Sequence, residues 1–328
     1  MQNNGSKRGG GTLSYLIALL TIFALNFILP RMMPGDPLQA IYGEEALVAM
    51  TPQMEAHLIE LFALDKSWSE QLIAYVIALF HGNLGFSYYY KDDVSSVIMG
   101  ALPWTLLLVG LSLLIATVAG VILGIESGYR RKERIDRWLL AGLMLLGGLP
   151  DFFLGIVLLL IFGVSLNLFP LSGAITPYSG LEGLGLLMDI ARHLALPLAA
   201  LVLVDLGGIY LLTRNTVVTI LKEGFMLTSR AKGCSDFCLR YCHAGRNALL
   251  PVTTATGLRI PQLFTGALFI EIIFSYPGLG LMLRTALDAR DYPLIQGILL
   301  LVTITVLTAN LFVDRIYQRL DPRVRYAH

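Results

Sequence analysis

Residues 228–252 read TSRAKGCSDFCLRYCHAGRNALLPV. The stretch is polar and basic, about as long as a short helical hairpin, and it lies between long apolar runs. A membrane protein that keeps so organised a segment at its surface uses it to grip something. What it grips depends on how the flanking runs are read.

The chain has 328 residues, of which 55% are hydrophobic and only 14% charged. Soluble domains carry about a quarter charged residues, so the deficit points to the bilayer as solvent. A hydrocarbon core of about 30 Å needs roughly 20 apolar helical residues to cross it. Six runs qualify, at approximately 12–29, 102–125, 138–164, 193–212, 258–274 and 294–316. The first is short and the fifth carries Arg259 and Glu271. None alternates with period two, so the runs predict helices and not barrel strands. The expected fold class is an all-α membrane protein with six transmembrane helices.

Lys and Arg set the orientation. With the N-terminus inside, sixteen of the 24 fall on the cytoplasmic side and six on the other, which predicts that both termini are cytoplasmic. Pro30-Arg31-Met32 follows the first run where a cleavable signal would place small residues, so that run is expected to be retained. Residues 1–11 are Gly-rich and polar and are expected to be a disordered cytoplasmic N-terminus. The transmembrane domain is then 12–316, with an extracytoplasmic segment at 31–101, a cytoplasmic segment at 213–257 and a cytoplasmic tail at 317–328.

Pro34-Gly35-Asp36-Pro37 stops the first helix, and residues 55–62 and 69–80 read as short amphipathic helices. From Arg31 to Ala101 there are nine acidic and three basic residues, an outer face suited to steering a partner or to solvation. Gly120, Gly124 and Gly128 make a stripe of small residues, read first as helix packing. Gly147-Gly148-Leu149-Pro150-Asp151 predicts a break inside the third span, of the kind tolerated at a pathway wall or a kink. Ionisable residues within spans mark candidate pathway positions. These are Asp205, Asp151 and Glu271, with a structural role preferred for Glu271.

Cys234, Cys238 and Cys242 recur every four residues and so share a helical face. With His243 adjacent the face resembles a soft-metal site, but without a second distant ligand pair it is read first as packing by small hydrophobes, with metal or redox chemistry as the alternative. No phosphate-binding G-x-x-x-x-G-K-[ST] loop, G-x-S-x-G or H-E-x-x-H occurs. The chain is therefore not expected to hydrolyse nucleotide or to carry a catalytic centre of its own.

Several motifs together resemble one family. Thr228-Ser229-Arg230-Ala231-Lys232-Gly233 followed by Arg246-Asn247-Ala248-Leu249-Leu250-Pro251-Val252 is similar to the coupling loop of ABC importer permeases, and most similar to the dipeptide, oligopeptide and nickel branch. Phe269–Gly280 (FIEIIFSYPGLG), Ala289–Gly297 (ARDYPLIQG), Leu320–Tyr326 (LDPRVRY), the Pro34–Pro37 turn and Gly82–Ser87 (GNLGFS) fit the same branch, so the resemblance runs from about 13 to 326.

It implies a type I, MetI-like permease fold in the bacterial or archaeal cytoplasmic (inner) membrane. The implied partners are a second homologous permease, two ATPase subunits that hold ATP and Mg, and an extracytoplasmic solute-binding protein. The implied function is ATP-driven import of peptides or a related small solute such as a nickel chelate. The coupling loop of the family is two short helices joined at a glycine, here Gly233. Phe225, Leu227, Phe237, Leu239 and Tyr241 would anchor it to the ATPase, with Arg230, Lys232 and Arg240 at the rim and Thr228, Ser229 and Ala231 between them. Leu227-Thr228-Ser229 stands where the wider superfamily has Glu-Ala-Ala. Gly245 replaces a larger apolar residue and is expected to loosen the second helix. The rivals are an ion-gradient-driven secondary transporter using Asp205, and a membrane enzyme or thiol sensor using the cysteines.

Overall fold

The computed structural model describes Thr21, residues 23–28, Met32, Leu38, residues 50–61 and residues 66–320. Most of the first predicted span, the Pro34–Pro37 turn, and residues 1–11 and 321–328 lie outside the described residues. Two compact units form, one from residues 1–102 with 282–305 and the other from 103–281 with 306–328.

In order, the labelled elements are α1 (Pro52–Leu61), α2 (Trp68–Phe80), β1 (Phe86–Ser87), β2 (Asp92–Asp93), α3 (Val94–Tyr129), α4 (Arg134–Gly147), α5 (Asp151–Leu158), α6 (Gly183–Ile220), α7 (Gly224–Ala231), α8 (Arg246–Ile273), α9 (Leu279–Asp288) and α10 (Tyr292–Leu320). Two stretches wind as π-helix, Leu159–Ser165 after α5 and Cys238–Gly245 before α8. Residues 23–28 are helical as well.

The helices α3 and α6, of 36 and 38 residues, are each long and apolar enough to cross a bilayer alone. The third predicted span is α4 and α5 with its π-helical end, bent by 101° at the break. Pro150 causes the break: it has no N–H to continue the ladder and it restricts Leu149 before it. The fifth and sixth predicted spans are the helices α8 and α10, which include the apolar stretches Phe264–Ile273 and Tyr292–Thr308. The two amphipathic helices form within a few residues of where periodicity puts them. Ser67 and Glu70 close a capping box on α2, and this pulls the exposed Glu70 carboxyl below its ordinary range.

In the first unit, β1 and β2 pair antiparallel, Phe86 opposite Asp93 and Ser87 opposite Asp92. This hairpin was not expected from the sequence, because two-residue strands leave no periodic trace. Asp291, fully buried, caps the start of α10 by accepting from the Leu294 N–H at 3.2 Å, and it also accepts from Ser87 Oγ at 2.6 Å and Tyr89 N–H at 3.0 Å. The GNLGFS and ARDYP motifs are thus one structure, and a Cβ on Gly85 would press on Pro293 at 3.3 Å. Burial pushes the Asp291 carboxyl above its ordinary pKa despite these donors.

In the second unit the main core gathers Leu108, Leu194, Leu201, Phe264, Ile270, Phe274 and Tyr276. The glycine stripe is a packing surface. A Cβ on Gly120 would meet Ile209, one on Gly124 would come within 2.6 Å of Thr213, and one on Gly128 within 2.9 Å of the Arg214 carbonyl. The backbones of α3 and α6 therefore touch along three turns, as small residues allow where no water drives association.

Candidate functional site

The polar segment that opened the sequence reading sits at the end of α6, within the second unit. Helix α7 follows a tight turn and its hydroxyls fold back on it, with Thr228 Oγ1 donating to the Gly224 carbonyl at 3.2 Å and Ser229 Oγ to Phe225 at 2.9 Å. One face is sunk: Met226 and Ser229 are buried. The other is presented: Phe225, Leu227, Thr228, Arg230, Ala231 and Lys232 are exposed, Leu227 by 74%. Gly233 ends the helix at φ +79°, the left-handed conformation that glycine adopts without a Cβ penalty. The predicted joint is therefore where the chain reverses.

After the turn, Asp236 and Phe237 begin a helix that winds as π through Cys238–Gly245 and runs without interruption into α8. Phe237 is 67% exposed and packs against Tyr241 with the rings tilted by 37° and their centroids 4.9 Å apart. Leu239 and Tyr241 depart from the expected role of partner anchors. Leu239 is 3% exposed and packs with Ile125, Val217, Met226 and Ala244, and Tyr241 donates from its hydroxyl to Glu126 at 2.9 Å. Arg240, expected at the rim, is drawn inward to the same carboxylate. An apolar period shows that a face is covered, and here the cover is the chain's own α3 and α6. Gly245 also departs from expectation. It is buried, and a Cβ there would come within 2.8 Å of Ile125 Cδ1, so the missing side chain permits close approach and does not loosen the helix.

Two carboxylates lock this region, Glu126 tying the segment to α3 and Asp136 tying the helices to one another, and sequence reasoning missed both. Glu126 accepts from Arg240 and Tyr241 and pairs with Arg130 at 3.2 Å. Nearby, Tyr129 donates to Asp236 at 2.6 Å while the Arg240 guanidinium lies 4.9 Å above the Tyr129 ring. Asp136, 3% exposed, accepts from Arg214 at 2.6 and 2.8 Å, Ser127 at 2.6 Å and the Lys132 N–H at 2.9 Å. That joins α3, α4 and α6. The one clue in sequence is a pair of acidic residues, Glu133 and Asp136, set within the basic run Arg130–Arg137.

The pathway candidates separate. Asp205 on α6 faces Arg259 on α8 at 3.7 Å, and the guanidinium lies over Gly208, where any Cβ would collide with it. Asp151 lies near enough for its charge to act on Asp205. Its carboxylate occupies the space a Cβ on Gly266 would need, beside a cleft of about 370 Å³ lined by Pro150, Asp151, Phe152, Thr265, Gly266 and Phe269. Glu271 belongs elsewhere. It is fully buried, accepting from Thr105 Oγ1 at 2.6 Å and the Gly280 N–H at 2.5 Å, while Leu279 N–H bonds to Thr105 at 2.8 Å. Its engaged oxygens hold the SYPGLG turn.

Residues 116–326 match the family described as binding-protein-dependent transport system inner membrane component. The chain belongs to this family. It is 35% identical over 316 residues to a di/tripeptide transport system permease protein of Pseudomonas aeruginosa, covering 92% of this chain and 93% of that one. It is 33% identical over 323 residues to a dipeptide transport system permease protein of Escherichia coli, covering 93% and 94%. A putative peptide permease protein of Brucella suis is 36% identical over 310 residues, covering 94% and 95%. A crystal structure of an amino acid ABC transporter superposes with a TM-score of 0.51 at 14% identity, over 69% of this chain and 94% of that one, a likeness of fold. The protein is therefore an all-α, multi-pass inner-membrane permease of the type I, MetI-like class, the transmembrane subunit of an ABC importer that works with an ATPase and a solute-binding protein.

Proposed function

We propose that the importer carries peptides, since the relatives named for a solute are peptide permeases over nearly the whole chain. In this reading the chain is half of a heterodimeric pathway, with a second homologous permease, two ATPase subunits holding ATP and Mg, and an extracytoplasmic binding protein. Both termini face the cytoplasm, and residues 38–100 and 275–293 face the binding protein.

The observation that carries the coupling assignment is the two-faced helix α7. Phe225, Leu227 and Arg230 project outward while Met226 and Ser229 seat the helix on the bundle. Apolar side chains inside a polar rim suit a partner cleft, with Phe237 continuing the surface beyond Gly233. ATP-driven closure of the ATPase pair moves this platform as one piece, because Leu239, Tyr241 and Arg240 bind it to α3. The Arg214–Asp136 pair carries the movement on to α4. Asp151 and Asp205 lie where α5, α6 and α8 meet and serve as the polar wall of the pathway. A gradient-driven carrier using Asp205 is disfavoured by family and by the Arg259 partner.

The test is uptake of labelled di- and tripeptides into proteoliposomes holding the assembled complex with its binding protein. ATP-dependent uptake supports the reading. Assembly and ATP hydrolysis without peptide uptake would keep the importer and remove the peptide.

A further inference from the structure

The fold gathers three ligating side chains of the polar segment at one point. The Sγ atoms of Cys234 and Cys238 and a ring nitrogen of His243 all lie within 4.8 Å of one another. Cys234 Sγ is 3.9 Å from His243 Nε2. Cys234, Cys238 and His243 are half-buried, Cys242 exposed.

Helical spacing alone does not produce this group. Cys234 stands in the turn after Gly233 and comes back to the following helix through that reversal. Cys238 and His243 are five apart, and the π-helical winding between them, bonded i to i+5, puts both on one side. Packing by a small hydrophobe accounts for Cys234 beside the buried Leu239 cluster. It does not account for the aim of an imidazole nitrogen at its sulfur.

Zinc holds sulfur at about 2.3 Å and nitrogen at about 2.0–2.1 Å in a tetrahedron, which sets ligand atoms roughly 3.5–3.8 Å apart. The Cys234–His243 separation is already near that value, and the widest separation needs to close by about 1 Å. Thiolates with an imidazole select soft, closed-shell ions over magnesium or calcium.

We propose that Cys234, Cys238 and His243 form a binding site for a thiophilic d10 cation, with Zn2+ as its first occupant and Cys242 or water in the fourth position. Binding displaces the thiol protons and pins the turn after Gly233 to the helix that leads into α8. Its effect on transport rests on the coupling reading above; the binding itself does not.

The experiment uses the full-length chain, purified, reduced and metal-free. Zn2+ is titrated while the thiols are challenged with an alkylating reagent and read one by one by mass spectrometry. The chain has three cysteines, so every thiol signal comes from this segment. One equivalent of zinc is expected to slow labelling of Cys234 and Cys238 at least about tenfold, a ligand counting for no less than the tenfold or more lost with an outer-shell partner. Unchanged labelling of either at excess zinc overturns the site. His243→Ala leaves all thiols in place and is expected to weaken zinc binding at least about tenfold; unaltered affinity overturns the assignment. Zinc binding that leaves ATP hydrolysis by the assembled complex untouched upholds the site and counts against the coupling reading.

Discussion

Arg240 Nη1 donates to both oxygens of Glu126, at 3.0 and 2.9 Å, across 114 residues of sequence. The contact binds the platform beyond Gly233 to the end of α3. The two side chains are 19% and 25% exposed, dry enough for the pair to count. Glu126→Gln keeps the shape and removes the charge. It is expected to lower peptide-stimulated ATP hydrolysis while unstimulated hydrolysis persists. In a double-mutant cycle with Arg240→Met, thermal stability is expected to return a coupling of about 1–2 kcal/mol; simple additivity would disconnect the pair.

The approach of α3 to α6 predicts a steep size limit at Gly124. A side chain there must displace Thr213, and such overpacking costs about 1–3 kcal/mol. Gly124→Leu is expected to lower the melting temperature in detergent. Gly142→Ala, where a Cβ meets nothing within 4 Å, is expected to leave it level or raise it.

Gly233 holds φ +79° with open space around it, so the penalty for a side chain is conformational alone. Alanine in the left-handed region costs about 1–2 kcal/mol, and asparagine tolerates it better. ATP-driven uptake is expected to fall with Gly233→Ala and to recover partly with Gly233→Asn. Equal uptake in all three would show that the reversal is not needed.

Burial raises the Asp291 carboxyl above its ordinary pKa of 3.8. The folded state then holds a proton that the unfolded state has released, so stability falls as pH rises from that value through the raised one. Asp291→Asn removes this titration. Thermal melts across that window are expected to show a flatter decline with pH in the variant, even though losing the Tyr89 contact lowers its stability overall. Parallel slopes would place the titration elsewhere.

Much of the fold was legible because the signals are local. Pro150 after two glycines marks the 101° break, and Gly233 marks the reversal. The glycine stripe announces a close helix contact without naming α6 as its partner. Leu239 and Tyr241 were misplaced because an apolar period is the same whether the cover is the chain itself or another protein. Glu126 and Asp136 were missed because their partners Arg240 and Arg214 lie far along the chain, where no spacing rule reaches. The cysteine face was legible as a metal alternative, but four-residue spacing ranked it below packing and left His243 out of the ligand set, because a π-turn shifts the register by one residue.

The central claim is that the outer face of α7 docks on the ATPase. A photoreactive side chain at Leu227, 74% exposed, tests it directly against one at Leu114, 59% exposed on α3. In native membranes the Leu227 probe is expected to form an adduct with the ATPase subunit and the Leu114 probe none. An assembly that hydrolyses ATP yet gives no ATPase adduct from Leu227 would contradict the account.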